Sequence, residues 1–153
     1  MTRSLFYLGI AVLIFASAVL AGTSAAQHQN VGKDRLAIAG YDPVSYFSTK
    51  AVKGNANITA EYEGAVYRFA SEENRQKFTA EPAKYAPAYG GWCATAMAEG
   101  KKVEIDPLSY KITDGRLFLF YKSIFADARK AWLKDEPGMK AKADANWKKL
   151  VGE

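Results

Sequence analysis

Two short turn signals constrain the fold of this chain more than any other feature of its sequence. Glu63-Gly64 and Asp114-Gly115 each separate two stretches rich in β-forming residues. Asp-Gly is a strong signal for a two-residue hairpin, because that turn needs positive φ at both central positions. A further short extended piece is expected over Val44–Phe47. The sequence predicts two antiparallel hairpins, with strands over residues 57–62, 65–70, 109–113 and 116–121.

Helical patterns surround these hairpins. Ser71 is a suitable N-cap for a helix that should stop before Pro82. A second helix is predicted over Trp92–Ala98, after a glycine pair. Beyond Ser123 apolar residues recur at helical spacing, and the pattern restarts at Asp135. We therefore expect a single small α+β domain, with short antiparallel β-hairpins packed against helices and a helical C-terminus.

The N-terminal segment has the pattern of a signal peptide. Arg3 supplies positive charge, an apolar run follows over Leu5–Ala21, and Ser24-Ala25-Ala26 fits the cleavage rule. The run is slightly shorter than the roughly 20 residues that span a bilayer, so cleavage is favoured over an uncleaved membrane anchor. We expect an exported protein, periplasmic or extracellular, with no stable membrane anchor after cleavage. The predicted organisation is a signal peptide over 1–26, a flexible leader over 27–34 and a folded domain over 35–150.

Charge and cysteine content restrict the possible partners and the means of stabilisation. The chain has 21 Lys and Arg residues against 16 Asp and Glu residues, a net charge of +5. The late lysines alternate with acidic residues, a pattern typical of a solvated helical surface rather than of nucleic-acid binding. Cys93 is the only cysteine, so no internal disulfide can form and stability must come from packing.

Four segments together resemble a known family. They are Gly40–Phe47, Phe69–Asn74, Tyr85–Pro87 and Gly90–Ala94. This series is similar to the YHS domain, in particular to its secreted single-domain members, and the family is related to TRASH-like metal-binding modules. In the metal-binding members, a Cys follows the Asp-Pro-Val, another follows the Tyr-x-Phe and a third lies four residues later. Here those places hold Ser45, Ala70 and Asn74, so the resemblance implies the frame of a metal site without its thiolates and no structural zinc is expected.

Other residues could still bind a metal. Cys93 is expected in the first turn of a helix, which stabilises a thiolate, and Met97 lies one turn further on the same face. Two sulfur ligands suit copper(I) better than zinc. Both side chains could equally be core residues, since free Cys and Met are commonly buried. His28, the only imidazole, is a weaker candidate ligand near the predicted mature N-terminus.

Aromatic residues offer a candidate ligand pocket. Tyr41, Tyr46, Tyr89 and Trp92 are candidates to line it, although such residues more often form a core. The acidic residues show no paired arrangement for general acid and base catalysis, and His28 lies too far into the leader for a triad. No catalytic residue is therefore predicted.

Three functions remain open. The first is an exported, non-enzymatic binding protein that handles a soft metal through Cys93. The second is a metal-free domain that has lost the family's cysteine ligands and binds a protein or an apolar ligand. The third is a redox protein that acts through a single thiol. The burial of Cys93 distinguishes them: an exposed thiol favours the first or third function, and a buried thiol favours the second.

Overall fold

The computed structural model describes residues 27–48 and 50–152. The predicted signal peptide, residues 1–26, lies outside this part of the chain. Within the described ranges no helix is both long and apolar enough to cross a membrane. The architecture is α+β, as predicted, with two small antiparallel sheets and a helical C-terminus.

Both predicted hairpins are present. Their strands pair in chain order as β1 (Asn55–Tyr62) with β2 (Ala65–Phe69) and β3 (Asp106–Thr113) with β4 (Arg116–Phe120). The turn residues have positive φ, 46° at Glu63, 77° at Gly64, 52° at Asp114 and 70° at Gly115. This matches the turn type that the two dipeptides predict. β1 and β3 begin earlier than predicted, because each has a register irregularity near its start that side-chain alternation does not reveal.

Five helices complete the described fold. They are α1 (Glu72–Ala80), α2 (Pro82–Tyr85), α3 (Ala94–Ala98), α4 (Ala128–Trp132) and α5 (Glu136–Val151). The Ser71 hydroxyl caps α1 by accepting a hydrogen bond from the backbone N–H of Asn74 (3.2 Å), as its position predicts. The prediction that α3 begins at Trp92 is wrong. Gly90 and Gly91 have φ of 59° and 83°, and Cys93 has a non-helical ψ of 119°, so the helix begins only at Ala94.

The expectation of an extended piece at Val44–Phe47 is also wrong. Ser45–Phe47 forms a single 3₁₀ turn. The cause is local, because Asp42 Oδ1 accepts a hydrogen bond from the Val44 N–H (2.8 Å) and the Ser45 hydroxyl donates to the Asp42 carbonyl (2.7 Å). Such side-chain bonds to nearby backbone favour a turn over an extended strand.

Strand β4 supplies side chains to two hydrophobic clusters. Leu117 and Leu119 belong to a first cluster, formed with β1, β2 and α1, and Phe118 and Phe120 belong to a second, formed with α3, α4 and α5. All four side chains are fully buried. Because successive side chains of a strand point to opposite faces, β4 is the wall between the two clusters.

One carboxylate ties the second hairpin to the C-terminal helices. Glu136 accepts hydrogen bonds from Thr113 Oγ1 (2.7 Å) and Trp132 Nε1 (2.9 Å) and forms an ion pair with Lys111. Desolvation alone would raise the pKa of Glu136, but these bonds outweigh it and lower the pKa to about 2. The start of α5 is therefore fixed to β3 by a charged group.

Candidate functional site

A buried carboxylate, that of Asp42, lies beside the three places where the resemblance implies cysteines. Asp42 is fully buried, between the β1–β2 hairpin and α1. Its Oδ1 accepts the hydrogen bond from the Val44 N–H (2.8 Å). Its Oδ2 accepts two more, from the Ala70 N–H (2.8 Å) and from Asn74 Nδ2 (2.7 Å). Three donors from three segments thus converge on one side chain. We call this arrangement the Asp42 network.

The three places where the resemblance implies cysteines each donate a hydrogen bond to Asp42. Ser45 donates its hydroxyl to the Asp42 carbonyl and accepts a hydrogen bond from the Val52 N–H (3.1 Å). Ala70 and Asn74 donate to the carboxylate itself. Every polar group that these residues direct toward Asp42 is a neutral donor, which satisfies a carboxylate and does not bind a cation. The folded frame is therefore stabilised here by hydrogen bonds.

Cys93 and Met97 lie one helical turn apart, as predicted, but both are inside the protein. Cys93 is 1 % exposed and Met97 is 0 % exposed. Cys93 precedes α3, where its N–H donates to the Val103 carbonyl (3.0 Å) and its carbonyl accepts from the Met97 N–H (2.9 Å). A redox-sensing thiol must meet its oxidant, and a metal-handling pair must meet its ion, so this burial favours the second of the three functions. Among residues 27–48 and 50–152 no group of three or more His, Cys, Asp or Glu side chains is placed to hold a metal.

His28 and its neighbours lie against the domain. The His28 carbonyl accepts a hydrogen bond from Trp92 Nε1 (2.7 Å), and its ring meets the edge of Trp147. Gln29 is buried and donates to Glu63 Oε2 (3.1 Å). The predicted leader therefore has its first residues packed between the β1–β2 turn and α5, and the imidazole lies beside an indole.

The four aromatic residues predicted to line a pocket are distributed over the domain. Tyr46 is buried and donates its hydroxyl to the Pro107 carbonyl (2.9 Å), and burial raises its pKa. Tyr41 is half-buried with the Lys53 ammonium 4.8 Å from its ring centre, and Trp92 is half-buried beside His28. Of the four, only Tyr89 lines the groove described next.

A groove of about 220 Å³ opens between the first hairpin and α5. Its lining residues are Tyr62, Glu63, Ala83, Ala86, Pro87, Ala88, Tyr89, Gly90, Arg116 and Trp147. Tyr89 has a left-handed backbone (φ 56°), a strained conformation for a bulky residue. Its hydroxyl donates to Asp144 Oδ1 (2.9 Å), and burial followed by the Asp144 bond raises its pKa. Arg116 Nη2 donates to the same oxygen (2.9 Å), so the charges at this wall are paired.

Sequence reasoning missed Arg116 and Trp147 as groove residues. Arg116 begins β4 and Trp147 lies in α5, so both are far from Tyr89 along the chain. Arg116 belongs to no motif that would mark it, and Trp147-Lys148-Lys149-Leu150 is similar to the secreted YHS proteins but does not point to a groove. The N-terminal half of the groove, from Tyr62 to Gly90, meets them only because β4 and α5 pack against it.

The comparison with known proteins concerns the segment that contains Ser45, Ala70 and Asn74. Residues 43–89 match the sequence model of the YHS domain. The chain carries a YHS domain. No curated protein and no solved structure matches the chain. The YHS match supports membership of a metal-associated domain family and no more specific function.

The YHS segment and the rest of the chain meet at the groove. Ser45, Ala70 and Asn74 lie inside the matched segment, and so does the groove wall from Tyr62 to Tyr89. Gly90, Arg116 and Trp147 lie beyond it. The Asp42 network is thus within or next to the YHS domain, whereas the groove needs the C-terminal half of the chain.

The Asp42 network predicts a charge-specific effect of Asn74→Asp. The new carboxylate would face Asp42 Oδ2 at the 2.7 Å that the Asn74 amide now spans. Two carboxylates so close cannot both ionise, so we expect a loss on the order of 3 kcal/mol in the free energy of unfolding at pH 7. A proton shared by the two carboxylates relieves this repulsion. The variant is therefore least destabilised below about pH 4, the ordinary Asp pKa, and loses stability as the pH rises.

Urea unfolding of both proteins across this pH range measures the effect. Gln76→Glu is the matched control, because it adds the same charge to the exposed face of α1. It should change stability by less than about 0.5 kcal/mol. An Asn74→Asp protein as stable as wild type at pH 7 would contradict the network.

Proposed function

We propose that this chain is an exported, non-enzymatic binding protein that uses a YHS domain without a metal. Its ligand would be a small aromatic or apolar compound with an acidic group, bound in the groove between the first hairpin and α5. The observation that carries the proposal is the Asp42 network. Two of the places where the resemblance implies cysteines, Ala70 and Asn74, donate hydrogen bonds to the Asp42 carboxylate, and the third, Ser45, donates to the Asp42 backbone carbonyl. The burial of Cys93 supports it independently.

The chemistry of the groove supports this class of ligand. Tyr62 and Trp147 are half-buried aromatic side chains that offer flat apolar surface. Arg116 is 41 % exposed at the side chain, and its guanidinium has five N–H donors, of which two are directed to Asp144. A carboxylate or sulfonate on the ligand would have donors to meet there. Mostly apolar walls with a few placed polar groups are typical of small-molecule sites.

An aromatic sulfonate dye tests the groove directly. We expect 8-anilinonaphthalene-1-sulfonate to bind the folded domain with increased fluorescence. Ala83 lines the groove on the exposed side of α2, so Ala83→Leu should fill it and remove most of the increase without unfolding the protein. Fluorescence titration of wild type and variant, with a thermal melt of each, measures this.

Ala80→Leu is the matched control for the dye experiment. Ala80 is exposed at the end of α1 and does not line the groove, so this variant should bind the dye like wild type. Equal binding by wild type and Ala83→Leu would exclude the groove as the site.

Metal handling through Cys93 is the competing function and predicts different behaviour. Under our proposal, wild type and Cys93→Ser should take up the same small amount of copper(I) in competition with a copper(I) chelator. Met97→Leu should also match them, since it conserves volume. A zinc chelator should leave the melting temperature unchanged under our proposal. A structural zinc ion would contribute to the folding free energy, so its removal would lower the melting temperature. Copper(I) uptake lost in Cys93→Ser would favour metal handling instead.

The export part of the proposal rests on residues 1–26. Arg3, the apolar run and Ser24-Ala25-Ala26 support cleavage before Gln27. The intact mass of the protein expressed with its own N-terminus in a bacterial host should correspond to a chain that begins at Gln27 and is recovered outside the cytoplasm. A mass that includes Met1–Ala26 would support the uncleaved anchor.

A further inference from the structure

The loop between β4 and α4 presents two apolar side chains directly to solvent. Ile124 is 90 % exposed and Phe125 is 92 % exposed. They are the most exposed large apolar residues of the described chain, and they are adjacent. Single exposed apolar residues are ordinary, but two bulky ones together at a loop tip are costly in water. We call residues 121–127 the tip.

The backbone of the tip is fixed by hydrogen bonds. The Ser123 hydroxyl accepts from the N–H groups of Phe125 and Ala126 (both 3.2 Å), and the Ser123 N–H donates to the Ala126 carbonyl (2.8 Å). At the base, the Ala128 N–H donates to the Tyr121 carbonyl (3.0 Å). The fold therefore holds Ile124 and Phe125 outward. Because the backbone of the tip is already ordered, little conformational entropy is lost when the tip binds a surface.

Positive charge lies beside the apolar residues of the tip, from one lysine within it and one in α4. Lys122 and Lys130 are exposed and line the same shallow depression as Ile124 and Phe125. Asp127 lines it too, but its carboxylate caps α4 through a 3.1 Å hydrogen bond. Two lysines next to protruding apolar side chains complement a surface that is negative outside and apolar within.

We propose that the tip binds the surface of an anionic phospholipid membrane. Ile124 and Phe125 enter the boundary between headgroups and acyl chains, and Lys122 and Lys130 contact the phosphate groups above them. Lysine suits this position, because its apolar stem can lie along the lipid while its ammonium stays at the headgroups. Because a phospholipid membrane is fluid, its headgroups can move apart to accommodate a protruding loop. Binding of this kind is peripheral and reversible, and it uses a different surface from the groove.

Vesicle sedimentation tests the proposal with protein that begins at Gln27, so that the apolar run Leu5–Ala21 cannot itself bind lipid. We expect binding to phosphatidylcholine vesicles that contain phosphatidylglycerol and little binding to pure phosphatidylcholine. Lys122→Gln with Lys130→Gln should weaken binding about thirtyfold at low salt, equivalent to about 2 kcal/mol. Ile124→Ser with Phe125→Ser should weaken it at least roughly tenfold.

A matched pair of lysines controls for general attraction by a basic protein. Lys148 and Lys149 are exposed near the end of α5 and do not line the tip, so Lys148→Gln with Lys149→Gln should bind like wild type. Insertion of the tip into the bilayer is measured separately. In Phe125→Trp, brominated lipid should quench the fluorescence of the added tryptophan. Failure of wild type to bind anionic vesicles would overturn the proposal, as would equal weakening in the two lysine pairs. A wild-type dimer in light scattering that Ile124→Ser with Phe125→Ser abolishes would overturn it in favour of a second copy.

Discussion

The hydrogen bonds to the Asp42 carboxylate connect three parts of the chain. They fix the 3₁₀ turn at Ser45, the residue that follows β2 (Ala70) and the first turn of α1 at Asn74. Burial of an unpaired carboxylate would cost several kcal/mol, so the network is stable only when all donors are in place. Ser45, Ala70 and Asn74, the places where the resemblance implies cysteines, lie in these same three segments. In this chain hydrogen bonds to Asp42 hold the segments together.

The C-terminal half depends on the first half through β4 and α5. One face of β4 completes the core of the YHS segment. The other face of β4 packs in the second cluster, against α3, α4 and α5. Glu136 then fixes α5 to the same hairpin, and α5 carries Trp147 to the groove. The positions of the groove and the tip follow from this packing. The groove lies where α5 packs against the YHS segment, and the tip is the loop between β4 and α4.

Local signals in the sequence predicted local structure well. Asp114-Gly115, Glu63-Gly64 and Ser71 each act within a few residues, and the hairpins and α1 formed as expected. The start of α3 was missed because consecutive glycines at positive φ delay the helix, and their φ values depend on tertiary contacts. The groove was missed because its walls come from distant segments. Cys93 and Met97 were correctly placed one turn apart, but only the packing of α3 against α5 shows that both are buried.

The two-sided burial of β4 makes the folding unit larger than the segment that matches the YHS domain. The YHS match ends at residue 89, before β4 begins. A fragment cut at that boundary would lose Leu117 and Leu119 from its own core and leave Phe69 and Phe78 with an open side. The matched segment is therefore not autonomous in this chain. Because one strand belongs to both clusters, neither half can open while the other stays closed, and the whole domain should respond to heat or denaturant as a single cooperative transition.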